Sequence, residues 1–190
     1  MTGNIKRIGE KNITEKALYR SVYKSLGMKA RWNKNLSAEY MKEHTTSEKL
    51  LYHPFWAVKN LVVADRPPFP PRKIPRMIFV DAVSGYRGIF SHVPVLTDEE
   101  AGEGQIVAPY IMEEDLHKYA EDVRKKQIDK QYLLKKPGHE TVETTFVYLP
   151  IYEVKVKSSE VERTFYINAN TGESEQFLSE RWRDGKDLIR

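Results

Sequence analysis

The chain repeats part of itself. Leu51-Tyr52-His53-Pro54-Phe55-Trp56-Ala57-Val58-Lys59 returns ninety-six residues later as Val147-Tyr148-Leu149-Pro150-Ile151-Tyr152-Glu153-Val154-Lys155. Arg76-Met77-Ile78-Phe79-Val80-Asp81-Ala82-Val83-Ser84-Gly85 returns eighty-seven residues later as Arg163-Thr164-Phe165-Tyr166-Ile167-Asn168-Ala169-Asn170-Thr171-Gly172. Self-similarity of this kind predicts two copies of one supersecondary unit. The difference of nine in the offsets places extra residues between the strands of the first copy. They fall at Arg66-Pro67-Pro68-Phe69-Pro70-Pro71, a stiff extended stretch. The second copy has only the polar turn Lys157-Ser158-Ser159-Glu160 there.

Within each copy the two-residue period reads as strand. Tyr52, Pro54, Trp56 and Val58 share one face, as do Tyr148, Pro150, Tyr152, Val154 and Val156. A proline stands at the same place in both, and because it cannot donate to a ladder it marks an edge or a bulge. Asp81 and Asn168 open a hairpin turn that ends in Gly85 and Gly172, with side-chain oxygens able to bond backbone two residues on. Third strands are expected at Tyr86–Phe90 and Glu173–Phe177. Leu18, Tyr19, Val22, Tyr23 and Leu26 fall at helical spacing behind Thr14, and a shorter helix starts behind the N-cap Ser37. Thr97-Asp98-Glu99-Glu100 has the form of a capping box, although Gly102 and Gly104 limit a helix there. The strongest helix covers residues 113–130, with Leu116, Tyr119, Ala120, Val123 and Gln127 on its core side.

These elements predict an α+β fold: two repeats of a helix plus a three-stranded antiparallel meander, the helices packed on antiparallel sheet. Residues 1–12 are expected to be a flexible terminus, 13–95 the first repeat, 96–110 a connector, 111–180 the second repeat and 181–190 a tail. A helix, an aromatic strand and the turns Phe79-Val80-Asp81-Ala82-Val83-Ser84-Gly85 and Tyr166-Ile167-Asn168-Ala169-Asn170-Thr171-Gly172 together resemble a tandem pair of PepSY-like domains. That resemblance implies a noncatalytic module. Such domains occur mostly in exported or membrane-associated bacterial proteins, with proposed peptidase-inhibiting or regulatory roles.

Charge and composition narrow the function. The net charge of +4 is uneven: residues 1–34 carry +7 and the remainder −3. No cysteine is present, which excludes thiolate nucleophiles, disulfides and Cys-based zinc sites. The mean hydropathy of −0.61 and the lack of a long apolar run exclude an integral membrane segment. Met1–Lys16 lacks the apolar core of a secretory signal, so a cytoplasmic location is expected; a signal or anchor preceding the chain would make it exported or membrane-associated.

No nucleotide-binding loop, nucleophile elbow or zinc-protease motif occurs. Gly102-Glu103-Gly104 is too short to cradle a phosphate and reads as a connector. Glu113, His117 and Glu121 form one helical stripe. It is a candidate metal ligand set with outside help, but a solvated, charge-paired face is the commoner outcome. Asp81 is replaced by Asn168 in the second copy, so it reads as a turn residue and not as an acid catalyst. No catalytic residue, metal or cofactor is therefore assigned.

The leading expectation is a noncatalytic binding or regulatory protein acting through protein–protein contacts. Arg66, Phe69, Trp56 and Tyr86 are the candidate binding residues, and an open sheet edge could also pair two copies into a homodimer. The alternative is nucleic-acid binding through Lys16, Arg20, Lys24, Lys29 and Arg31 of the basic N-terminal region. A third possibility is a hydrolase in which His53 or His117 meets two carboxylates in a deep pocket.

Overall fold

The computed structural model describes residues 2–28 and 32–189. Seven strands are present among them: β1 (Thr2–Ile8), β2 (Thr45–Arg66), β3 (Phe69–Asp81), β4 (Arg87–Ile89), β5 (Leu96–Gly102), β6 (Gly138–Lys157) and β7 (Glu162–Asn168). The α-helices whose bounds fall among the described residues are α1 (Glu15–Lys24), α2 (Ala38–Glu43), α3 (Glu113–Val123) and α4 (Gln176–Asp184). The fold is mixed α+β. Pairing links the strands in the order β4-β3-β2-β6-β1-β5, with β7 on β6.

Two compact units share the chain. Unit 1 contains Met1–His53, Leu96–Val107 and Tyr148–Arg183; unit 2 contains Pro54–Val95, Ala108–Val147 and Asp184–Arg190. Neither coincides with residues 13–95 or 111–180. The helices α1, α2 and α3 each pack on strands of the other sequence copy. In unit 1, Leu18, Tyr19 and Val22 of α1 and Met41 of α2 close over Val154, Val156, Phe165 and Ile167. In unit 2, Leu116, Tyr119 and Val123 of α3 close over Val58, Val62, Ile78 and Val80. The long strands β2 and β6 make this exchange possible, since each contributes one half to each unit.

The helix starts follow their caps. The Thr14 hydroxyl accepts from Ala17 N, and the Ser37 hydroxyl from Tyr40 N. The strongest predicted helix holds α geometry only to Val123, then widens into a π turn at Arg124–Ile128 and tightens at Asp129–Gln131.

The hairpin turns of the two copies have the same local geometry. The Asp81 carboxylate accepts from Val83 N (2.8 Å) and Ser84 N (3.2 Å), and the Asn168 carbonyl from Asn170 N (2.9 Å) and Thr171 N (3.3 Å). Gly85 and Gly172 close them at φ 75° and 74°, a left-handed conformation that favours glycine. Pairing begins at Phe55 with Asp81 and at Ile151 with Asn168, directly after each proline. The carbonyl of Pro54 accepts from Ala82 N, and that of Pro150 from Ala169 N. Each proline thus precedes the registered ladder of its hairpin, where its missing N–H removes no rung.

Four expectations are corrected. Residues 2–8 are not loose: they pair with Leu96–Gly102 over seven registered positions. Thr97-Asp98-Glu99-Glu100 is accordingly strand and not helix start, with Asp98 and Glu100 exposed and Ala101 buried. Residues 173–177 form no third strand; only Ser174 bridges to Ile167 before α4 begins, burying Leu178 and Ser179. The proline-rich residues 66–71 are extended at Arg66 and from Phe69 to Pro71 but are not one continuous stretch, because Arg66 pairs with Phe69 and Pro67-Pro68 make the turn between them.

The β1–β5 pair is fastened by charge. Glu99 accepts from Arg7 Nε and Lys11 Nζ, and from the Tyr52 hydroxyl at 2.8 Å. Burial by itself raises the Glu99 carboxyl, but these hydrogen bonds more than offset it and hold it below the usual carboxylate range.

Candidate functional site

At the β2–β3 turn of unit 2 an exposed aromatic and an exposed apolar pair lie on two segments joined by an ion pair. The strands reach it in register, Val63 opposite Lys73 and Ala64 opposite Arg72, with a bulge before Arg66 pairs with Phe69. The dipeptide Pro67-Pro68 fixes two φ angles of the turn. Arg66 Nε donates to Pro70 O at 3.1 Å, and its guanidinium lies 5.8 Å from the Phe69 ring centroid. Phe69 nonetheless remains 66% exposed. A shallow cavity of about 170 Å³ is lined by Asp65, Arg66, Pro67, Pro68, Phe69 and Pro71.

A second segment joins this end. After α3 and its widened turn, Tyr132 packs against the unit 2 core while Leu133 and Leu134 stand at 94% and 104% exposure. Lys136 Nζ donates to Asp129 O (2.8 Å) and Tyr132 O (2.9 Å), closing the loop on itself. Lys135 pairs with Asp65 of the hairpin, and Lys73 pairs with Glu140 at 3.1 Å.

A polar chain braces the base of this loop. Arg124 Nε donates to Asn60 Oδ1 (3.0 Å), which turns the Asn60 amide nitrogen toward His139 Nδ1 (3.1 Å). Nδ1 is thereby the acceptor, so Nε2 carries the proton and donates to Asp129 Oδ1 at 2.8 Å. Both ring nitrogens are engaged. Asn60 is fully buried, and the chain ties β2, β6 and the segment after α3 together. His139 holds the loop and presents no nitrogen to a substrate.

The sequence candidates fall in different places. Arg66 and Phe69 lie at this end. Trp56 does not: its Nε1 donates to Ile111 O at 2.9 Å, and its ring packs 4.5 Å from Phe146 in the core. Tyr86 is half-buried beside Phe79, with ring centroids 5.8 Å apart. Lys16, Arg20 and Lys24 are exposed on α1 in unit 1, while Lys29 and Arg31 lie outside the described residues. Among the described residues no group of three or more His, Asp or Glu is placed to hold a metal. Glu121 pairs with Lys125 at 3.3 Å, as a solvated helix face does. The cleft of about 190 Å³ beside His117 contains one carboxylate, Glu113, and not the two that hydrolysis was expected to need. His53 lies in unit 1, stacked on Trp182 at 4.3 Å.

Leu133 and Leu134 were not among the sequence candidates. Their signal was an apolar pair beside Lys135-Lys136, directly beyond a helix whose own apolar spacing had ended.

No protein-family model, curated protein or solved structure matches this chain.

Proposed function

We propose that the protein is a noncatalytic binding or regulatory protein that acts by docking the β2–β3 end of unit 2 onto a larger partner. One observation carries this reading: Phe69, an aromatic of hot-spot size, is held two-thirds exposed on a turn already ordered by its strand register and by Arg66. Ordering the anchor in advance lowers the entropy cost of association. The matching registers and turn bonds of the two hairpins support an ancestral doubling, and a tandem PepSY-like origin is our proposal for it.

Replacing Phe69 by Ser tests the docking reading. Immobilised wild-type and Phe69→Ser proteins are compared for the proteins and membranes they retain from a cell extract. Loss of an anchor of about 2 kcal/mol lowers retention roughly thirtyfold. Equal retention by the two proteins contradicts the reading.

A second reading rests on Lys16, Arg20 and Lys24, which stand exposed at four-residue spacing on α1. Such a stripe suits phosphate contacts. Binding to a single-stranded oligonucleotide that weakens steeply with salt supports it; no binding at low salt removes it.

A further inference from the structure

We propose that the partner at this end is the surface of an anionic lipid bilayer, into whose headgroup region Leu133, Leu134 and Phe69 insert. The proposal rests on the reading that this is the docking end and names its occupant.

The first support is shape. Leu133 and Leu134 are almost wholly exposed, and the cavity beside Phe69 is shallow. A projecting apolar tip needs a deep, preformed pocket on a protein partner, because interface anchors carry energy where they are fully desolvated. The headgroup and acyl boundary of a bilayer accommodates such a tip without a preformed pocket.

Charge is the second support. Arg66, Arg72, Lys73, Lys130, Lys135 and Lys136 are all exposed on the segments that carry the apolar side chains. Of the acids at this end, Asp65 pairs with Lys135 and Glu140 with Lys73, while Asp129 accepts from the neutral His139 and keeps its negative charge. The balance is cationic, which complements anionic headgroups. Aliphatic and aromatic tips surrounded by lysine and arginine form the pattern of side chains that insert while their charges stay at the interface. Three apolar side chains give a reversible attachment, and no helix among the described residues is long and apolar enough to cross a membrane.

Third, the loop is braced. Lys136 closes it onto Asp129 O and Tyr132 O, and the Arg124–Asn60–His139–Asp129 chain holds its base, so the leucines are presented and do not fold back.

The experiment uses vesicles of phosphatidylcholine alone and of phosphatidylcholine with phosphatidylglycerol, and follows co-sedimentation of the full chain. Wild type is expected on the anionic vesicles only, with binding that falls as salt shortens the Debye length from about 10 Å at 0.1 M to about 3 Å at 1 M. Lys135→Glu with Lys136→Glu is expected to weaken binding at least tenfold, since each cation contributes about fivefold near an anionic surface. Leu133→Ser with Leu134→Ser is expected to weaken it by a similar factor, while Lys157→Glu in unit 1 leaves it unchanged. The chain has no cysteine, so Leu134→Cys gives a single site for an environment-sensitive fluorophore. Its emission is expected to shift to the blue on anionic vesicles, which reads insertion even if a double variant folds poorly. Absence of wild-type binding at low salt, or binding unchanged in the leucine variant together with an unshifted fluorophore, overturns the proposal. If vesicles are not bound but Phe69→Ser still loses retained material from extract, the docking end stands and its partner is an acidic protein. If both assays are negative, the docking reading falls with the bilayer.

Discussion

Asp81 and Asn168 occupy the same turn position with different neighbours. Both side chains accept from two backbone N–H groups, but the Ser84 hydroxyl donates to Asp81 Oδ2 at 2.8 Å, while Asn168 Nδ2 donates to Glu175 Oε1 at 2.8 Å. Asp81→Asn keeps the turn acceptor and is expected to cost about 1 kcal/mol or less. Asp81→Ala leaves backbone donors of a buried turn without that acceptor and is expected to cost about 2 kcal/mol or more. Asn168→Asp is different in kind. Burial already raises the Glu175 carboxyl, and a second carboxylate in place of its donor raises it further. Ionisation of a group whose folded value is raised disfavours the fold. Asn168→Asp is therefore expected to lose about 1–3 kcal/mol at neutral pH and to regain part of it as pH falls through the Glu175 value, measured by urea unfolding at neutral and acid pH. The Asp-for-Asn swap made the turn role legible in sequence; the Glu175 contact was not, because it depends on where α4 begins.

At the scale of elements, local signals succeeded where tertiary contacts agreed with them. Thr14 and Ser37 announced their helices, and the apolar spacing of α3 was plain. Residues 97–100 misled because Asp and Glu behind Thr suit a helix start. The competing signal was alternation: Asp98 and Glu100 face solvent, while Glu99 and Ala101 turn inward. Arg7 and Lys11 complete that strand from far along the chain, and no local window contains them. Removing the charge tests this explanation. Glu99→Gln leaves two partly buried cations without their carboxylate and is expected to cost about 2–4 kcal/mol at neutral pH. The Glu99 carboxyl is held low in the fold, so its contribution is complete above the unfolded value of about 4.3 and disappears as pH falls through the folded one. The stability gap between wild type and variant should be full at pH 7 and close in acid; a gap independent of pH contradicts the role of the ion pairs.

For the whole molecule, the doubled sequence correctly suggested α+β elements, but the compact units do not follow the copies. Sequence proximity suggested that α1 packs on the strands after it, whereas Leu18, Tyr19 and Val22 pack on β6 and β7. A fragment of residues 13–95 therefore lacks the surface that covers α1 and is expected to remain unfolded. Fragments 1–107 and 108–190 are each expected to be unfolded alone, since each unit draws segments from both, and to recover helical and strand signal by circular dichroism when mixed. Independent folding of 13–95 contradicts the exchange of helices. The proposed docking end belongs to this scale too, because it joins a hairpin of the first repeat to a segment of the second. The most direct measurement is a photo-cross-linking scan in cells, with the reactive side chain placed in turn at positions 69 and 134 and at positions 160 and 173 in unit 1. Adducts concentrated at 69 and 134 are predicted; equal yields at all four positions, or yields confined to unit 1, contradict a docking role for this end.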